Sequence, residues 1–146
     1  ILRFFIMKSD DILKSTSNQI SLKKALNHFM DLHRNDSPED IDFYRSQFTA
    51  TIQAIYNSVG ENAFKNYSNG KFSKKFHPAV FDSLMVSAYF SISQKNTLPN
   101  VSLETHLSLL ADSRFKESIS KRTTDIENIK RRISIAGHTL FGVVLE

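Results

Sequence analysis

Apolar residues recur at a helical interval through most of the chain, and most densely between His77 and Lys95. There Val80, Phe81, Leu84, Met85, Ala88, Tyr89 and Ile92 follow one another by a turn, while Val86 and Phe90 add a second apolar face. Pro78 suits the first turn of such a helix, where its missing N–H costs nothing. A helix apolar on more than one side needs neighbours on several sides. The pattern therefore predicts a central, buried helix over about 78–95.

The remaining pattern arranges weaker helices around it. Leu2, Phe5 and Ile6 share one face of a short opening helix, and 8–20 is polar enough to predict a loop anchored by Ile12 and Leu13. Ser21 is a candidate N-cap, followed on one face by Leu22, Ala25, Leu26, Phe29 and His33. Ser37, Pro38, Glu39 and Asp40 form a strong helix start, with carboxylates at the positive end of the dipole. The stripe Ile41, Tyr44, Phe48, Ile52, Ile55 and Val59 then runs to Gly60, which ends the helix. Glu61–Phe64 reads as a single turn. Residues 65–75, with Asn69-Gly70 at their centre, read as a loop pinned to the core by Phe72 and Phe76. After a turn at 96–100, Ser102 caps a short helix carrying Leu103, Leu107 and Leu110. Another short helix opens at Asp112 or Ser113 with Phe115 and Ile119 inward. A linker over 120–123 leads into Thr124 and Glu127, spaced as a capping box. The last helix is expected over 125–144, with Ile126, Ile129, Ile133, Ala136, Leu140 and Val143 as its seam and Gly137 marking a close approach.

This is the pattern of an all-α single domain over 1–144, with six or seven helices and no sheet. Four glycines and three prolines in 146 residues leave little material for tight β-turns, which agrees with it. The absence of cysteine excludes a disulfide framework and a cysteine-based zinc site or nucleophile, and fits a reducing cytoplasm. No run of 18 apolar residues exists, so no membrane partner is expected. Because the first residue is not Met, the chain is expected to be a piece of a longer protein, and Leu145-Glu146 is a candidate vector-derived tail.

Charge changes the picture in the second half. Residues 1–64 are nearly balanced at −1, whereas residues 65–146 carry +5. Lys121, Arg122, Lys130, Arg131 and Arg132 form the densest basic group, and residues 65–75 hold four lysines, among them Lys71, Lys74 and Lys75. Such residues suit phosphate oxygens, although a solvated basic face is the commoner reason for them. For Arg132 a third reading is an inward pairing with a carboxylate. Catalytic chemistry is absent from the pattern: there is no nucleophile–base–acid arrangement, no phosphate loop and no H-E-x-x-H. The histidines at 28, 33, 77, 106 and 138 lack metal-ligand spacing, so neither a catalytic residue, a metal site nor a cofactor is expected.

Three segments carry a family likeness. Lys75-Phe76-His77-Pro78 leading into Val80-Phe81-Asp82-Ser83-Leu84-Met85 resembles a basic residue, then Phe-Asn, before a helix reading Leu-Phe-Glu-Ala-Leu-Met. Gly60-Glu61-Asn62-Ala63-Phe64 resembles a Gly-x-x-Ala-Phe turn, and 123–136, with Arg132-Ile133 and Ala136, resembles a closing Arg-Ile-x-x-Ala helix. Ile1–Phe5 and Leu22–Leu26 fit the same order. These motifs are similar to the helical C-terminal part of the ParB-like N-terminal region of GmrSD-type restriction and phage-defence proteins, which often continue into an HNH-type nuclease domain. Lys75 stands where the family prefers Arg, and His77 where it prefers Asn. The resemblance implies a parent that recognises or cuts foreign or modified DNA at the expense of a nucleotide. The family's Asp-Gly-Gln-Gln-Arg motif belongs to the front region and is not in this chain. The implied role is that of a helical subdomain supporting the ParB-like domain and contacting DNA backbone through Lys71, Lys74, Lys75, Lys121, Arg122, Lys130, Arg131 and Arg132. The alternative is a helical interaction or structural module without a nucleic-acid role.

Overall fold

The computed structural model describes residues 1–144; Leu145-Glu146, the candidate tail, lies outside the described residues. Everything is arranged about α5 (Pro78–Lys95), whose residues 79–88 are buried without interruption. Pro78 occupies its first turn, and Asn96, at φ 63°, ends it in the left-handed conformation. Three polar residues sit inside the buried run. Ser83 and Ser87 are satisfied within the helix, donating to the carbonyls of Ala79 and Ser83 at 2.6 Å each. Asp82 is not, and must find partners elsewhere.

Those partners come from the surrounding elements: α1 (Leu2–Met7), α2 (Asp10–Leu13), α3 (Leu22–Leu32), α4 (Pro38–Val59), α6 (Leu103–Ala111), α7 (Ser113–Ser120) and α8 (Ile126–Ala136). α1, α4 and α8 pack on α5 from different sides, as its two apolar faces predict. The core accordingly has two clusters. One joins Phe4, Ile55, Phe81, Leu84, Leu109 and Phe115; the other joins Met7, Ile12, Val86, Ile129 and Ile133. α4 starts as expected, with a reciprocal capping box between Ser37 and Asp40 and Pro38 in the first turn. No residue of α3 is fully buried, and it rests on the core through the half-buried Leu22, Ala25, Leu26 and Phe29.

The protein is broadly helical, at 65% helix, but it is not strictly all-α. The expected loop at 65–75 is a β-hairpin of β1 (Lys65–Ser68) and β2 (Lys71–Phe76). Asn69 and Gly70 both adopt positive φ, at 51° and 75°, the two-residue turn that matches strand twist. Ser68 pairs with Lys71, Tyr67 with Phe72 and Lys65 with Phe76, so Ser73–Lys75 bulge opposite Asn66. Among the described residues eight α-helices replace the expected six or seven, since Asp10–Leu13 coils within the supposed loop.

Two further expectations are corrected near the C-terminus. The last helix does not run to 144: α8 stops at Ala136 and widens into a π turn, Gly137–Phe141, closed by Gly142 at φ 62°. Lys95, at the end of α5, donates to the carbonyls of Phe141 (3.2 Å) and Gly142 (2.8 Å), which satisfies acceptors the broken helix leaves over. Thr124 and Glu127 do not form a capping box either. The N-cap is Asp125, and an extended segment takes over the work: Ile126 N donates to Asn18 O, and Ile20 N to Thr124 O, at 3.0 Å each. Gln19 also bonds the Asp125 carboxylate at 2.9 Å.

Candidate nucleic-acid interface and a buried charge cluster

The eight basic residues singled out by sequence go to four different places. Arg132 goes to the interior. It is 0% exposed, between α5 and α7, and donates through Nη2 to Asp82 Oδ2 at 3.2 Å. Its Nη1 donates to the carbonyls of Ser118 (3.2 Å) and Thr123 (2.9 Å). A side chain so placed cannot reach a phosphate, and its assignment to a nucleic-acid surface is corrected accordingly. The inward pairing wins because α8 presents position 132 to Asp82, a buried anion that needs a cation.

Asp82 has a second, closer partner. Arg3 of α1 grips it in a fork, Nε to Oδ1 at 2.7 Å and Nη2 to Oδ2 at 2.6 Å. One carboxylate, fully buried, thus joins three helices that lie 79 and 50 residues apart in sequence. Burial pushes the Arg132 pKa down and the charge of Arg3 adds to this, while Asp82 pulls it back up. His77, at the mouth of α5, is lowered by burial first and then by Arg132, with Asp82 opposing.

Lys121, Arg122 and Arg131 meet around a cleft of about 420 Å³, but Glu117, Asp125 and Glu127 line the same cleft. Arg131 is already bound to Glu127 at 2.5 Å and to Asn128 at 3.3 Å. The densest basic group in the sequence is therefore matched by three acids in space. Arg122 takes a positive φ of 45° in the link between α7 and α8, where Asn128 bonds the carbonyls of Lys121 and Arg122. Lys130 stands apart, its Nζ donating to Ser15 O at 2.9 Å.

The hairpin lysines differ. Lys71, Lys74 and Lys75 are exposed, and among the described residues none has a carboxylate within salt-bridge distance. From Asn62 to Phe81 the chain contains no acid. One face of the hairpin is docked: Tyr67 meets Phe72 edge-on, and Phe72 stacks on His106 of α6 at 5.4 Å. Phe76 leans on Phe64 and Phe81 yet stays 56% exposed. The bulge is stiffened by Ser73, whose hydroxyl accepts from Lys75 N at 3.0 Å. The docked ribbon holds the backbone that carries these unpaired lysines, so it presents positive charge to whatever faces it.

His106 is 2% exposed, its Nε2 has no partner, and burial lowers its pKa to about 4. Sequence reasoning missed both His106 and Asp82. Among the described residues no group of three or more acids or histidines is placed to hold a metal. No described helix is long and apolar enough to cross a membrane. Compared with models of protein families, with curated proteins and with solved structures, the chain matches none. The GmrSD-type likeness accordingly stands on the motifs quoted above.

Proposed function

We propose that this chain is a helical, DNA-backbone-contacting subdomain of a GmrSD-type restriction or defence protein, working in the cytoplasm beside a ParB-like domain that handles the nucleotide. The role asks for no cofactor or catalytic group from the chain itself. What carries the reading is the hairpin: three exposed lysines, no acid over twenty residues of sequence, and a docked underside that holds them in place. A two-stranded ribbon has the width to lie along a major groove, and lysine suits phosphate as a point charge. Lys121 and Arg122 are secondary contacts, because Glu117, Asp125 and Glu127 offset their field.

A specific observation favours the interaction module as the second reading. Met30 and Leu32 at the end of α3, with Ile41 and Phe43 at the start of α4, are all exposed. One experiment separates the two. Fluorescence anisotropy with a labelled duplex, at about 50 and about 200 mM salt, should show binding that weakens steeply as salt rises. Replacing Lys71, Lys74 and Lys75 together by Ala should reduce the log–log salt slope by about 2–3, close to one unit per lost phosphate contact. Absence of binding at the lower salt, or an unchanged slope in the triple variant, would refute the DNA reading.

A further inference from the structure

A larger cleft, of about 780 Å³, opens between α2, the C-terminal half of α5 and α8, and shares Glu127 and Arg131 with the 420 Å³ cleft beside it. Its size lies within the range of small-molecule sites. Leu13, Phe90 and Ile133 supply an apolar floor from all three helices. Polar groups converge from the rim. The Lys130 ammonium spends one of its three protons on Ser15 O and keeps two. Ser134 behaves unlike Ser83, Ser87, Ser93 and Ser120, which donate to the carbonyl four residues back. Neither its hydroxyl nor the Gln94 amide makes a hydrogen bond among the described residues, and both line the cleft. Among the described residues the lining charges are Lys130 and Arg131 against Glu127, a net of +1 beside an apolar floor.

We propose that this cleft binds an amphipathic monoanion: one negatively charged head held by Lys130, Ser134 and Gln94, on an apolar body laid over Phe90, Leu13 and Ile133. The site does not rest on the DNA reading, since neither the hairpin lysines nor Lys121 and Arg122 line it. Glu127 is its antagonist. The carboxylate occupies Arg131 and repels an incoming anion, so neutralising it frees the guanidinium for the ligand.

The test is a fluorescence titration of the full chain, without DNA, with anilinonaphthalene sulfonate. Competition with dodecanoate and with naphthoate distinguishes an acyl from an aromatic body. Dodecyltrimethylammonium, with the same apolar length and the opposite charge, is the control. Saturable one-site binding is expected, displaced by one or both carboxylates and not by the cation. Lys130→Met should weaken it about tenfold, the loss of one charge-assisted hydrogen bond. Because Lys130 also ties down Ser15, the deciding variant is Glu127→Gln, whose side chain is exposed. It should tighten binding several-fold while leaving the melting temperature in place. Unsaturable binding, displacement by the cation, failure of both carboxylates to compete, or unchanged or weaker binding in Glu127→Gln would each overturn the assignment.

Discussion

Asp82 is a single carboxylate on which two arginines depend. Removing it leaves the Arg3 and Arg132 guanidinia facing each other with the interior charge uncompensated, and breaking a buried pair in this way costs about 3–5 kcal/mol. Asp82→Ala should therefore show that loss in denaturant melts. Replacing Arg3, Asp82 and Arg132 together by Met, Leu and Met should cost far less than the three single changes summed, because no charge is then stranded. Additive losses would show that the three groups act independently. His106 offers a second measurement. In the fold it titrates at about 4, whereas an unfolded histidine titrates near 6.5. Between those values the unfolded chain takes up a proton that the folded chain refuses, so stability is full above about pH 6.5 and falls until about pH 4. The loss should reach about 2–3 kcal/mol in wild type, and His106→Gln should flatten that part of the profile. None of this was legible in the chain. An acid inside an apolar run has no periodic signature, and its partners lie 79 and 50 residues away. The inward reading of Arg132 was open from the sequence, but only the packing of α8 on α5 decides it.

The elements show where patterning speaks and where it is silent. α5 was legible because burial on every side requires apolar residues on every side, and its limits match the expected 78–95. The hairpin was not, because KNYS and KFSKKF lack the strict alternation that marks a half-buried strand. Its one signal was Asn69-Gly70, the dipeptide suited to a two-residue hairpin turn. Tertiary docking on His106 supplies what alternation does not. Gly70 at φ 75° should accordingly resist substitution: Gly70→Val puts a β-branched residue where φ is positive and should destabilise the ribbon by about 1 kcal/mol or more. Loss of the Tyr67–Phe72 contact by NMR, with the helical signal kept, would report that local effect. The basic group at 121–132 was legible as composition and misleading as a surface. Asp125 and Glu127 lie inside that stretch and Glu117 just before it, and the turn from α7 into α8 brings all three onto the same cleft as Lys121, Arg122 and Arg131.

Across the whole molecule, α5 separates two apolar clusters and contributes to both, Leu84 to one and Val86 to the other. Phe81→Ala or Leu84→Ala should each cost about 2–5 kcal/mol, the range for large core truncations, and equilibrium unfolding checks it. A loss below about 1 kcal/mol for both would mean that α5 is not the centre of the fold. At the other extreme stands α3, an eleven-residue helix with no fully buried residue, which rests on the core through the half-buried Leu22, Ala25, Leu26 and Phe29. It packs on one side only, whereas α5 is enclosed by its neighbours. In a hydrogen–deuterium exchange experiment the amides of Leu22–Leu32 should open by local fluctuation, long before the molecule unfolds. Those of Val80–Ala88 should exchange only through global opening. A partner that settles on the exposed apolar residues of α3 and α4 would then announce itself by slowing exchange in α3, which makes a lightly packed helix a sensitive reporter of binding.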